Sequence, residues 1–153
     1  MKIDDARGRH LGTLLVALQL LLIASLALLA APVAARAPAG AWALAGAGGL
    51  LALWALGCNR PGNFNIHPSP RAGGRLVQSG PYRWIRHPMY SAILVCGLAC
   101  AWAAASPWAW AAEALLAAVL SVKAGFEERW MLAAHPDYAA YRARTRRFVP
   151  WLV

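Results

Sequence analysis

Long stretches without a charged side chain constrain this chain more than any other feature. Residues 11–31 carry no charge and only Thr13, Gln19 and Ser25 as polar side chains. Residues 40–58 are likewise uncharged, and residues 89–106 form a third run. Residues 107–122 form a fourth, broken only by Glu113, and a helical pattern carries it on to Phe126. A bilayer core of roughly 30 Å takes about 20 apolar residues in helical form. The first two runs meet that length; the third and fourth are shorter and are expected to end in the interface. Lipid offers backbone groups no partner, so a span is either a helix or a strand of a closed barrel. Runs rich in Ala and Leu, with no period-two alternation, are helices. The expectation is an all-α integral membrane bundle, one domain of 153 residues. It has four transmembrane helices, at about 11–31, 40–58, 89–106 and 107–126.

Composition supports this against a water-soluble fold. Only 14% of the residues are charged, where a soluble domain has about 25%. The first run follows Lys2, Arg7 and Arg9 as a signal peptide would, but it exceeds the roughly 7 to 15 residues of a signal core and is read as a span. Of the 15 basic residues, 14 fall in the N-terminal lead, in the connection between the second and third runs, or from Lys123 onward; Arg36 alone lies in the first connection. The positive-inside rule then places both termini and the middle connection in the cytoplasm. The excess of Arg over Lys and the abundance of Ala suggest a GC-rich bacterial genome, which in turn favours the bacterial inner membrane. The formal net charge of +9 follows from topology and from attraction to anionic headgroups. It gives no reason to invoke nucleic acid. Cys58, Cys96 and Cys100 lack the spacing of metal ligands, and no metal is expected.

The polar connection, residues 59–88, is long for a segment without an obvious helix, which marks it as functional or disordered. Phe64, Tyr82, Trp84 and Ile85 interleaved with Arg and His argue for function. Pro88 suits the first position of the third helix. Ser106 is placed to cap the fourth helix ahead of Pro107, and that helix is expected to leave the membrane and end at His135-Pro136. The C-terminal tail, residues 127–153, includes a stretch over 137–147 that reads as amphipathic. There Tyr138, Tyr141 and Phe148 face the membrane while Arg142, Arg144, Arg146 and Arg147 stay wet.

Two polar clusters fall at the same membrane surface: Arg86-His87-Pro88-Met89-Tyr90 at the mouth of the third span, and Glu127-Glu128 at the inner end of the fourth. Taken singly, each has an ordinary explanation, as a phosphate anchor, an aromatic belt or a solvated helix end. Ionisable groups at a membrane boundary are nonetheless expensive and tend to be functional. Glu113 sits about 20 Å of helix from the acidic pair and reads as an interfacial residue at the outer end of its span.

The ordered elements LVQSGPYRWIRHPMY, an apolar helix pair, GFEERWM and the tail segments Tyr138-Ala-Ala-Tyr141 and Arg147-Phe-Val-Pro150 resemble the isoprenylcysteine carboxyl methyltransferases and the phospholipid methyltransferases. The resemblance covers about residues 60–152. It implies an S-adenosylmethionine-dependent methyl transfer to a membrane lipid or other lipophilic acceptor: a lipid amine, or an isoprenoid-type thiol or carboxylate. It places the cofactor against His67, Gly74, Arg75, Leu76, Val77, Tyr82, His87, Pro88, Met89, Tyr90 and Glu127. Arg86, His87 and Glu128 become the catalytic candidates and Lys123 the substrate contact. Lys123 stands where the prenylcysteine enzymes carry an Arg, and a point charge does not replace a bidentate fork. A carboxylate pair suits the cofactor's ammonium, and a helix N-terminus suits its carboxylate.

Two other readings are compatible with parts of the sequence. A nicotinamide-dependent membrane reductase has a related architecture but is usually larger. A small four-span transporter would use Glu113 as its coupling residue.

Overall fold

The computed structural model describes residues 6–59 and 76–152. Those residues form five α-helices: α1 Ala6–Ala30, α2 Ala39–Cys58, α3 Pro88–Ala104, α4 Pro107–Ala134 and α5 Tyr138–Arg144. Two short 3-10 turns, Ala31–Arg36 and Gly80–Arg83, join them. Among the described residues, three segments are long and apolar enough to cross a membrane: His10–Arg36, Ala39–Cys58 and Pro107–Ala134. The third expected span is a shorter apolar helix of 17 residues. That length reaches about 26 Å at 1.5 Å per residue.

The short helix is the hub. α3 packs against α1, α2 and α4, and α1 lies in the groove between α3 and α4. Leu22 and Leu26 of α1 meet Ala101 of α3 and Ala109, Leu116, Val119 and Leu120 of α4 in the core. Small residues let the backbones approach, as in other helix pairs inside lipid. A Cβ placed on Gly48 of α2 would stand 2.5 Å from Cys96 Sγ and 3.1 Å from the Ala92 carbonyl on α3. Side chains on the outer faces are large and apolar, with Leu28 75% exposed and Leu14, Leu21, Leu50 and Leu53 also exposed. A bundle with that exterior is solvated by lipid rather than by water.

Helix ends follow local chemistry. Pro88 and Pro107 open α3 and α4, where the missing N–H costs nothing. Ser106 occupies the N-cap position with extended backbone, but its side chain makes no capping bond. α4 ends at Ala134, with His135 after it and Pro136 next. The single left-handed glycine among the described residues is Gly80, which turns the chain beside Trp54 and Cys58 of α2.

The tail differs from the surface-lying amphipathic stretch expected. Tyr138, Tyr141 and Phe148 are buried within the protein. α5 is only seven residues long, and beyond it the chain pairs with the segment before α3. Ile85 and Arg146 form a parallel bridge. The Arg86 and His87 amides donate to the carbonyls of Arg146 and Arg147 at 2.8 and 3.1 Å, and the Arg146 amide donates to the Trp84 carbonyl at 2.9 Å. The Tyr141 hydroxyl donates to the Tyr82 carbonyl at 2.8 Å, and Ser91 Oγ to the Phe148 carbonyl at 2.6 Å. These bonds satisfy backbone groups that burial would otherwise leave bare, which is why tail and loop settle on each other.

Candidate active site

Pairing of loop and tail fixes Arg86 and His87 at the mouth of α3, opposite the end of α4. Glu128 of α4, 2% exposed, is the centre of the cluster. Arg86 Nε donates to its Oε1 at 3.0 Å. Arg147 grips both oxygens, Nε to Oε1 at 3.1 Å and a terminal nitrogen to Oε2 at 3.1 Å. Arg142 adds a looser contact at 3.7 Å, and His87 Nε2 lies 3.3 Å from Oε1. Such a bidentate, multiply bonded carboxylate holds its charge against burial. The same contact pushes the Arg147 guanidinium above its ordinary pKa. Arg86 also donates to the carbonyls of Arg142 and Thr145, so its fork joins α4 to the end of α5.

Glu127, the neighbouring carboxylate, is placed differently. It is half-buried, takes the Tyr90 hydroxyl as donor, and lies 3.4 Å from His87 Nδ1. No guanidinium reaches it among the ion pairs of the described residues. His87 therefore stands between the two carboxylates, one at each ring nitrogen. Burial works against a charged imidazole there, but the hydrogen bonds and charges of Glu127 and Glu128 outweigh it and raise the His87 pKa above its ordinary value. Its ring stacks on Tyr90, with centroids 5.4 Å apart and planes 5° apart, and leans on Phe148 at 6.0 Å.

The remaining sequence candidates distribute unevenly. Pro88 is buried and Met89 half-buried in the first turn of α3. Leu76 and Val77 are half-buried in the extended segment before the Gly80 turn. Tyr82 is buried against the tail, and burial pushes its pKa up to about 12. His67, Gly74 and Arg75 lie outside the described residues. Lys123 is 3% exposed; its Nζ donates to Gln19 Oε1 of α1 at 2.7 Å and sits 5.2 Å from the centre of the Tyr90 ring. This places Lys123 one turn below Glu127, inside the bundle, with α1 supplying its partner.

Several members of the cluster were not identified from sequence. Arg142, Thr145, Arg147 and Phe148 complete it from the tail, and Gln19 reaches it from α1. The lone Gln in an otherwise apolar span was the available signal, because a polar side chain at that depth usually has a partner.

On the other side of His87 an apolar cavity of about 670 Å³ opens along α3. It lies between α2 and α4, with Leu94 and Leu98 of α3 as its floor and Trp54, Trp84 and Trp110 around it. Ser91, one turn after His87, and Phe148, which leans on the His87 ring, are among its lining residues. That volume is in the range of ligand pockets. Glu113 also lines the cavity and is only 5% exposed. The expected interfacial glutamate is therefore an interior one, because Gly97 on α3 leaves room for its carboxyl group.

An apolar helical bundle with an ion-clamped cluster at one end and an apolar cavity beside it defines a helical protein of the integral membrane class. The family model for phospholipid methyltransferases matches residues 40–137, from the start of α2 to the residue before α5. More than half of the chain is matched, and the chain belongs to that family of methyltransferases. No curated protein and no solved structure matches it.

Proposed function

We propose that this protein transfers a methyl group from S-adenosylmethionine to an acceptor dissolved in the membrane. One observation carries the reading: Phe148 lines the apolar cavity and also touches the His87 ring that Glu127 and Glu128 hold. A lipophilic acceptor seated there has its polar end at the cluster. Family membership supports methyl transfer, and the lipid-facing exterior supports a membrane substrate.

The residues present fit the cofactor. S-adenosylmethionine supplies, when bound, an electrophilic methyl on a sulfonium. Glu127 is the carboxylate left without a guanidinium and suits the ammonium group. The Tyr90 ring suits a sulfonium. Pro88 and Met89 form the first turn of α3, whose N-terminus suits the cofactor carboxylate. Leu76, Val77 and Tyr82 approach from the loop, and His67, Gly74 and Arg75 belong to the same cradle in this reading. Displacement at a methyl group needs alignment above all. Arg86, Arg147 and Glu128 act as positioning residues that fix His87 and Glu127 relative to the cavity. An amine acceptor has a proton to lose, and the His87–Glu127 pair takes it. A carboxylate or thiolate acceptor needs no base. In this reading α1 to α4, the short α3 included, all cross the membrane, both termini face the cytoplasm, and the cluster meets the cytosolic cofactor pool of a bacterial inner membrane.

The test is calorimetric binding of S-adenosylhomocysteine to purified protein, with a nicotinamide dinucleotide as control. Binding of the homocysteine alone, reduced about tenfold or more in Glu127→Ala by loss of a charge-assisted bond, supports the reading. Folded protein that binds neither compound defeats it, and preference for the dinucleotide would move the protein to reductase chemistry.

A further inference from the structure

Glu113 is not used by the chemistry proposed above. Its Oε2 is buried without a hydrogen-bond partner among the described residues, and the residue lines the apolar cavity. Ser91, which also lines the cavity, spends its hydroxyl proton on the Phe148 carbonyl or the His87 carbonyl. Glu113 is thus the lining residue that carries a buried polar atom without a partner among the described residues, and a carboxyl oxygen accepts hydrogen bonds. Nothing in packing demands a glutamate there. α3 makes room for it with Gly97, where a Cβ would collide with the carboxyl group.

Position gives the residue a meaning. Gly97 lies ten residues beyond His87 on α3, which is about 15 Å along the helix. A molecule filling the cavity from the cluster end reaches Glu113 with its far end. An unpaired buried carboxyl group favours an occupant that brings a donor. A hydroxyl satisfies the carboxyl group without bringing a charge into an otherwise apolar site, as an ammonium would.

We infer that Glu113 is a specificity-determining residue that binds a hydroxyl group at the end of the acceptor remote from the methylated end. The inference rests on the methyltransferase reading for the word acceptor, but the binding it describes stands apart from catalysis. The occupant is then an elongated amphiphile with an apolar body of about 15 Å and a hydroxyl at its buried end. The cavity selects it over the same body with that hydroxyl blocked.

Photolabelling tests this in the full-length protein reconstituted in nanodiscs. The probes are a twelve-carbon primary alcohol carrying a mid-chain diazirine and the methyl ether of the same compound. The two differ in whether they can donate, and the labelled positions are mapped by mass spectrometry. The alcohol is expected to label the cavity residues Leu94, Val95 and Leu98 about tenfold more strongly than the ether, the factor a hydrogen bond to a carboxyl group confers. Glu113→Leu should reduce alcohol labelling to the level of the ether. Glu113→Gln, which keeps an acceptor oxygen and the shape, should retain it. S-adenosylhomocysteine binding measured on the same three preparations reports whether each is folded. Equal labelling by alcohol and ether, or undiminished alcohol labelling in a folded Glu113→Leu, overturns the inference. So does loss in Glu113→Gln as complete as in Glu113→Leu. If the wild type fails to bind S-adenosylhomocysteine, the methyltransferase reading falls, while the alcohol-to-ether ratio still judges the role of Glu113.

Discussion

Glu128 and Glu127 are adjacent in sequence and opposite in circumstance. α4 turns about 100° per residue, so one carboxylate faces the tail and the other faces Tyr90. Three arginines and a histidine converge on Glu128, and what the residue supplies is charge balance. Replacing it by Ala leaves Arg86 and Arg147 close together with no counter-charge, and a broken buried ion pair costs about 3–5 kcal/mol. Glu128→Gln keeps acceptor geometry at one oxygen and should lose less. Thermal unfolding in detergent is expected to rank wild type above Glu128→Gln above Glu128→Ala; equal melting temperatures for wild type and Glu128→Ala would show the clamp to be ornamental. The sequence placed Glu127-Glu128 near Arg86-His87, because both motifs fall at the same end of antiparallel spans. It did not distinguish which glutamate the arginines would take. That choice depends on Arg142 and Arg147, which α5 and the following strand-like segment swing back onto α4.

At the scale of elements, the segment before α3 and the segment after α5 hold each other in place. Neither forms regular structure alone; the bridge at Ile85 and Arg146 gives each the backbone partners it lacks. The Arg146 side chain is exposed, so its contribution to this pairing comes through its amide, bonded to the Trp84 carbonyl. Arg146→Pro removes that donor while the extended Thr145 backbone, at φ −120° and ψ 159°, accepts a following proline. A lost backbone bond in a buried pair costs about 1–3 kcal/mol. The variant is expected to show faster hydrogen exchange at the Arg86 and His87 amides and weaker S-adenosylhomocysteine binding, whereas Arg146→Ala should show neither. Exchange rates unchanged by the proline would mean that the bridge does not organise the site. The alternation of Tyr and Arg along the tail could not reveal this pairing. The same pattern serves a helix lying on a membrane and a helix lying on a protein, and the deciding partners, Tyr82 and Glu128, are remote in sequence.

For the molecule as a whole, the charge-free runs led directly to helices, because lipid leaves a backbone few alternatives. Helix rotation was less legible. The level of Glu113 along α4 follows from counting residues, but its turn toward the interior depends on the space at Gly97, which hydropathy does not register. The orientation proposed above rests on where the basic side chains lie. Arg83, Arg86, Arg142, Arg144, Arg146 and Arg147 all lie at the end of the bundle where loop and tail meet, and Arg36 lies in the turn at the opposite end of α1 and α2. In the proposed orientation, cytoplasmic retention of basic connections keeps the first end inside and the Arg36 turn outside. This can be tested in a variant whose three native cysteines, Cys58, Cys96 and Cys100, are replaced by Ala, with single cysteines introduced as Arg36→Cys, Ser106→Cys, Arg83→Cys or Arg144→Cys. In intact cells a membrane-impermeant maleimide is expected to label the first two, and to reach Arg83→Cys and Arg144→Cys only after the cells are opened. The Ser106 position carries the most weight, because it reports whether the short helix α3 crosses the bilayer. A Ser106 thiol labelled only in opened cells, with Arg36→Cys labelled in intact ones, would mean that α3 and α4 re-enter the cytoplasmic face. The cavity would then open beneath the headgroups rather than toward the bilayer centre, and a short polar lipid would displace the long amphiphile as the fitting acceptor.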